Sequence, residues 1–387
     1  MKETFPEGKS DLFAAFIQRC TCLAGPQGLS AMITMQSWMF LSSFEKLRRT
    51  MLRKQWIVSM LHLGTRAFDS IGGEVVSSTA FVIENVPPSR RANASARRGS
   101  FVRIVDGKSE AEKITMLDRA RHTREAEDGF HGASPEDFAV IPGSPIVYWL
   151  SEKMRATFKS ERSLRDIADP KQGLATTDNK RFTRLCWEPS HRAIGFGLSR
   201  AGALESGLRW FPYNKGGSFR RWYGNHEYVV NWQSDGCEIK AEIARRYPYL
   251  NGNVDWVAKN QDSYFSPSVS WSKVSSGAPA FRAYPPGFVF DVAGTSMFAE
   301  SLRERIELLA FTNSQLAFEQ LSALAPTLNF EVGQVTNLPS VEQVPEGIFE
   351  RALELVSDSQ EDWDSFETSW GFTSNPIAIV AKSEALG

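Results

Sequence analysis

The sequence predicts an α/β fold in two parts, a short alternating α/β unit followed by a longer mixed α+β domain. Three observations predict it. Helical and strand-like apolar periods alternate over short loops between residues 10 and 85. From 164 to 339 the chain is rich in Trp, Tyr, Phe, Gly and short β-prone runs, with a clear helix near 301–310. The composition is globular, because 387 residues with 42% hydrophobic and 23% charged side chains suit two or three domains and exclude a disordered or disulfide-stapled chain.

The elements follow in order. Ser10 caps a helix over 11–20 whose apolar face is Leu12, Phe13, Phe16 and Ile17, and Gly25-Pro-Gln-Gly28 stops it. Residues 29–35 read as a buried strand, and Ser43 caps a second helix carrying Phe44, Leu47 and Leu52. Strands at 56–63 and 75–83 flank a Gly-rich loop ending at Gly72-Gly73. A helix-first α-β-α-β-β run is expected to be the second half of a larger sheet. It should leave an apolar face around Ile33, Met35, Ile57 and Val82. Pro87-Pro88 and the basic run to Gly99 mark a boundary. The expected divisions are an incomplete α/β unit at 1–86, a basic linker and helical connector at 87–163, the mixed domain at 164–340 and an acidic helical tail at 341–387.

Charge is segregated behind a formal net charge of -1. Residues 88–124 hold ten Lys/Arg against four Asp/Glu, and 151–222 hold fifteen against seven. Residues 341–372 reverse the sign, with nine acids against Arg351 alone. A polyanion such as DNA suits the cationic middle, although mixed solvated faces give the same counts. Cys20, Cys22, Cys186 and Cys237 form no Cys-x-x-Cys pair and have no matching histidines, so they read as ordinary thiols and no metal site is expected. No apolar run reaches the ~18 to 20 residues of a membrane span and the first residues have no apolar core, which points to the cytoplasm.

Longer words in the sequence carry a resemblance. Phe5-Pro-Glu-Gly-Lys-Ser-Asp-Leu-Phe-Ala-Ala-Phe-Ile17 and Ala31-Met-Ile-Thr-Met-Gln-Ser-Trp-Met-Phe-Leu-Ser-Ser-Phe-Glu-Lys-Leu-Arg48 resemble the adenine-N6 DNA methyltransferases of BREX phage-resistance systems, just after their catalytic tetrapeptide. Gly173-Leu-Ala-Thr-Thr-Asp-Asn-Lys-Arg-Phe182, Trp210-Phe-Pro-Tyr-Asn-Lys-Gly-Gly-Ser-Phe-Arg-Arg-Trp-Tyr-Gly-Asn225 and Trp363-Asp-Ser-Phe-Glu-Thr-Ser-Trp370 resemble that family's target-recognition region. The resemblance covers essentially the whole chain. It implies the C-terminal part of a Rossmann-like methyltransferase sheet followed by a mixed α+β target-recognition domain. It also implies duplex DNA as partner, S-adenosylmethionine as cofactor of the complete enzyme, and a separately encoded N-terminal catalytic half or other defence-system subunits. A non-enzymatic DNA-specificity or assembly subunit and an inactive remnant of an interrupted gene remain alternatives.

The family's chemistry needs a Gly-rich strand-to-helix turn for the cofactor and an Asn/Asp-Pro-Pro-Tyr/Phe segment that accepts the adenine amino hydrogens. Neither occurs in the sequence. Val86-Pro-Pro-Ser and Tyr284-Pro-Pro-Gly offer no side-chain acceptor before the prolines, and Gly195-Phe-Gly-Leu-Ser-Arg-Ala-Gly202 reads as a loop turn. The chain alone is therefore expected to be inactive and to hold no cofactor tightly. Asp11, Leu12 and Phe16 fall on the helix that in the family backs the cofactor pocket, and Phe81 near the strand that offers an aromatic face to the flipped adenine. Helix capping or first-turn dipole stabilisation is the favoured reading of Asp11, and plain core packing that of Phe81.

DNA contact is expected from Asn179, Lys180 and Arg181 and from Lys215, Arg220, Arg221, Trp222 and Tyr223, which follow or flank the flexible Gly216-Gly217. Arginine reads guanine and asparagine reads adenine, whereas lysine more often binds phosphate. For any single residue, surface pairing or stem packing stays open. Trp187, Trp210, Trp232, Trp256 and Trp271 read as core anchors.

Overall fold

In the computed structural model, which describes residues 3–70, 76–90, 97–275, 277–325, 329–340 and 344–378, the chain divides into Met1–Ser160 with Ser322–Pro326 and Glu161–Leu321 with Thr327–Gly387. The Gly72-Gly73 loop end and residues 91–96 of the basic run lie outside the described residues.

The first unit is built on five strands, β1 (Leu29–Met35), β2 (Gln55–Gly64), β3 (Ser78–Asn85), β4 (Gly99–Arg103) and β5 (Phe130–Ala133), in the order β1-β3-β2-β4-β5. Only β2 and β4 run parallel; the other pairs are antiparallel. Helices α1 (Leu12–Ala24), α2 (Glu45–Lys54) and α3 (Glu110–Thr123) accompany the sheet. The fold class is thus α/β in this unit. α2 buries Leu47 and Met51 and also Arg48. Arg48 is stable inside because its guanidinium donates to the carbonyls of Gly143 (2.8 Å), Trp38 (2.9 Å) and Leu41 (2.7 Å). Burial pushes its pKa down to about 10, so it stays charged at neutral pH.

Two expectations are corrected. β1, expected to be buried, is an edge strand with one face open, and Leu29, Ile33 and Met35 on that face are exposed, Ile33 by 61%. On the neighbouring α1, Leu12, Phe16 and Leu23 are exposed while Ala14, Ala15 and Ile17 are buried. Exposed apolar side chains therefore sit on both α1 and β1, whereas Val82 is half-buried and Ile57 is buried. Residues 87–163 supply β4 and β5 to the sheet, with α3 between them, where a linker and helical connector are expected. Short strands in basic sequence read as linker because what stabilises them is pairing with a distant partner, here β4 with Ser59–His62 of β2.

The second unit holds two four-stranded sheets. One is ordered β11 (Phe281–Tyr284), β10 (Ser268–Ser272), β13 (Gly294–Phe298), β6 (Asp169–Lys171), and the other β12 (Val289–Phe290), β8 (Trp210–Asn214), β9 (Tyr228–Asn231), β7 (Thr183–Leu185). Helices α4 (Asn179–Phe182) and α5 (Gln233–Arg246) flank the second sheet, and Phe182, Phe211, Tyr213, Trp232, Ile239 and Ile243 share one core. Ser301 caps α6 (Leu302–Thr312) by a reciprocal box with Glu304, and α6 packs on α7 (Ile348–Asp364), the acidic tail helix. Trp232 and Trp271 are core anchors as expected, but Trp187 and Trp256 are exposed and Trp210 is half-buried, with the guanidinium groups of Arg184 and Arg209 each within 5.5 Å of its ring centroid. Among the described residues no helix is long and apolar enough to cross a membrane, and no three His, Cys, Asp or Glu side chains are grouped to hold a metal ion.

Candidate nucleic-acid interface

β8 ends at Asn214, and the chain then turns sharply through Gly216 (φ +72°) and Gly217 (φ +137°). Both positions need glycine. A Cβ at Gly217 meets Asn225 Nδ2 at 2.7 Å, and one at Gly216 meets the Ala293 carbonyl oxygen at 2.9 Å. The loop from Lys215 to His226 is held by buried polar groups beneath it. Asn214 Oδ1 accepts from the Gly216 amide (3.0 Å), while its Nδ2 donates to Ser270 Oγ (2.6 Å) and the Gly294 carbonyl (3.0 Å). Ser272 Oγ donates to the Gly217 carbonyl (2.8 Å), Asn225 Nδ2 to that of Ser218 (2.9 Å) and Arg282 Nη1 to that of Arg220 (3.1 Å). Trp222 adds a backbone bridge to β11, its N–H donating to Phe281 and its carbonyl accepting from Ala283.

The cations on this scaffold fall into different environments. Lys215 Nζ reaches Asn179 Oδ1 (3.1 Å) and stands 3.7 Å from the Asp291 carboxylate, so the structure joins Asn179 and Lys215, which are 36 positions apart in sequence. Asp291 is itself held by the Tyr213 hydroxyl (2.6 Å), whose pKa rises through burial and the neighbouring carboxylate. Asn179 opens α4 and is exposed, as is Lys180. Arg181 turns to Glu238 (3.5 Å) and Glu242 (3.7 Å) on α5. Arg220 donates to Asp362 (2.9 Å) and lies over the Trp363 ring, both from α7. Arg221 is exposed, its guanidinium over the ring of Phe219. Trp222 is half-buried and Tyr223 buried, so these two brace the loop.

Behind Tyr223 an aromatic cluster of Tyr284, Phe288, Trp363 and Trp370 surrounds His226. Burial first, and the Arg282 charge second, push the His226 pKa down to about 3, so the ring is neutral under ordinary conditions. Arg282, Asn214 and Asp291 are positioning residues that sequence reasoning missed. Their only signal is polar character inside β-prone runs, which becomes informative once burial is known.

The residues expected to support cofactor chemistry lie in different environments. Phe81 is 3% exposed and packs edge-on against Trp38, whereas Asp11 and Phe16 are exposed at and along α1. Asp11 is the N-cap position of α1 but makes no capping bond. These side chains do not form a complete S-adenosylmethionine site, and no methyl-transfer step can be drawn from them.

A family model for the Eco57I restriction-modification methylase matches residues 1–68. The chain is 40% identical over 373 residues to the adenine-specific methyltransferase PglX of Lacticaseibacillus casei (strain Zhang), a match covering 96% of this chain and 30% of that protein. It is 36% identical over 383 residues to the adenine-specific methyltransferase BrxX of Escherichia coli O9:H4 (strain HS), covering 97% and 28%. It spans less than a third of these relatives. In fold it is similar to the Type IIL restriction-modification enzyme MmeI, solved in complex with DNA, with a TM-score of 0.53 at 10% identity over 97% of this chain and 49% of that one. Along nearly all of its length the chain is therefore a relative of the adenine-specific methyltransferases PglX and BrxX.

Proposed function

We propose that this chain is the C-terminal part of a site-specific adenine-N6 DNA methyltransferase of a BREX-like defence system. In this reading it contributes the closing strands of the catalytic sheet and the domain that binds duplex DNA. Its role is to hold the duplex so that the target adenine reaches a pocket built by the remainder of the enzyme, where S-adenosylmethionine supplies the methyl group. The observation that carries the reading is the 40% identity along 96% of the chain to a protein named an adenine-specific methyltransferase. The exposed apolar face of α1 and β1 supports it, since an edge strand bearing Leu29, Ile33 and Met35 is suited to further sheet and to a covering layer. The DNA role is supported by the Lys215–Asn179 pair and by the exposed cations Lys180 and Arg221 in the second unit.

The test is methylation of mixed duplex DNA with labelled S-adenosylmethionine, by the chain alone and after co-expression with the rest of a PglX-type enzyme. Label is expected in adenine only in the second case. Incorporation by the chain alone refutes the division of labour. DNA binding without rescue by the added half favours a stand-alone specificity subunit.

A further inference from the structure

Phe219 is an apolar side chain 55% exposed on a segment that is otherwise tied down. The carbonyl before it, Ser218, accepts from Asn225, and its successor Arg220 is held through its carbonyl by the buried Arg282. The loop tip is therefore set by the fold, and Phe219 is presented rather than left loose. Of the three cations from Lys215 to His226, Arg220 is paired with Asp362 and Lys215 stands 3.7 Å from Asp291, while Arg221 is exposed with its guanidinium 5.6 Å from the centroid of the Phe219 ring. Single exposed apolar residues are common and need no explanation. A ring held on a doubly braced turn, with the exposed Arg221 guanidinium over it, instead matches a polyanion that also offers flat apolar faces. Duplex DNA has that chemistry, with phosphates flanking a stack of bases.

We propose that Phe219 is a wedge that inserts between neighbouring base pairs of bound duplex DNA, unstacking one step and bending the helix while Lys215 and Arg221 hold the flanking phosphates. Wedges of this kind trade the unstacking of one base step for a bent duplex that meets more protein surface. The proposal rests on the DNA-binding reading above and adds to it a residue and a deformation.

The experiment uses the whole chain with duplexes selected from a random-sequence pool, end-labelled for energy transfer, and measures affinity and bend together over several salt concentrations. Phe219→Ala should weaken binding roughly 10- to 100-fold, as loss of an aromatic stacking contact does. It should also lengthen the end-to-end distance toward that of free DNA, and leave the salt slope unchanged because no phosphate contact is lost. Phe219→Trp should retain the bend. Since the ring is largely exposed, both variants should keep the parent's far-UV circular dichroism and thermal midpoint. Phe219→Ala with parental affinity and bend overturns the wedge, and so does an equal loss in Phe219→Trp. If the parent binds DNA and Lys215→Ala lowers the salt slope while Phe219→Ala changes nothing, only the wedge fails. If the parent binds no duplex, the DNA reading fails and takes the wedge with it.

Discussion

Replacing Asn214 by alanine tests the scaffold under the loop. The amide orientation follows from its partners, since the Gly216 N–H must meet an oxygen and the Gly294 carbonyl must meet an NH2 group. Alanine removes the acceptor of the Gly216 amide, a buried donor whose loss of partner costs ~1–3 kcal/mol. It also removes the donations to Ser270 and Gly294, at ~0.5–1.5 kcal/mol each. Ser270 is spared an orphaned hydroxyl because its Oγ donates to the Thr295 carbonyl at 2.7 Å. The expected cost is about 3 kcal/mol, equivalent to opening about 100-fold more often. Hydrogen exchange of peptides covering 210–225 and 268–272 measures it directly, and Asn214→Asp should be at least as damaging because a buried carboxylate then faces the Gly294 carbonyl. Exchange accelerated less than about fivefold in Asn214→Ala, or a milder effect in Asn214→Asp, refutes the hub, since 1.4 kcal/mol is already tenfold.

Other outcomes are expected from the same structure. Because the folded His226 pKa is about 3 against an ordinary 6.5, the unfolded chain takes a proton first, so stability is lost as pH falls from 6.5 toward 3. His226→Phe should flatten that dependence by up to ~1.4 kcal/mol per pH unit, read by unfolding at pH 4, 5, 6 and 7. Lys215→Ala should weaken all duplexes alike and lower the salt slope by about 1 in fluorescence anisotropy, the mark of one lost phosphate contact. If Asn179 reads a base edge, alanine there should cost ~1–3 kcal/mol at the preferred site and little elsewhere, measured in the same assay, whereas replacing Arg220, which is paired with Asp362, should weaken the hold on Trp363. Gly224→Ala should loosen Trp363, because its Cβ meets that ring at 2.8 Å on a backbone with φ of +118°, and should raise proteolysis of 362–370.

Local pattern was enough for the elements whose signals lie within a few residues of one another. The helix near 301–310, the strand-like runs of β1 to β3 and the paired glycines of the 216–217 turn are all readable, because side-chain period and positive φ are properties of neighbouring residues. Periodicity told which side chains of α1 share a face, but only the structure decided that Leu12 and Phe16 stay exposed, since burial depends on what packs there. The same holds for β4, whose pairing with β2 joins positions about forty residues apart. Charge behaves alike. The cationic middle and acidic end are segregated along the chain, yet Arg220 meets Asp362 across 142 positions and Arg181 meets Glu238 and Glu242. Coulomb energy depends on distance in space, so composition identified the cations while tertiary contacts determined which pair internally and which, such as Lys180 and Arg221, face solvent.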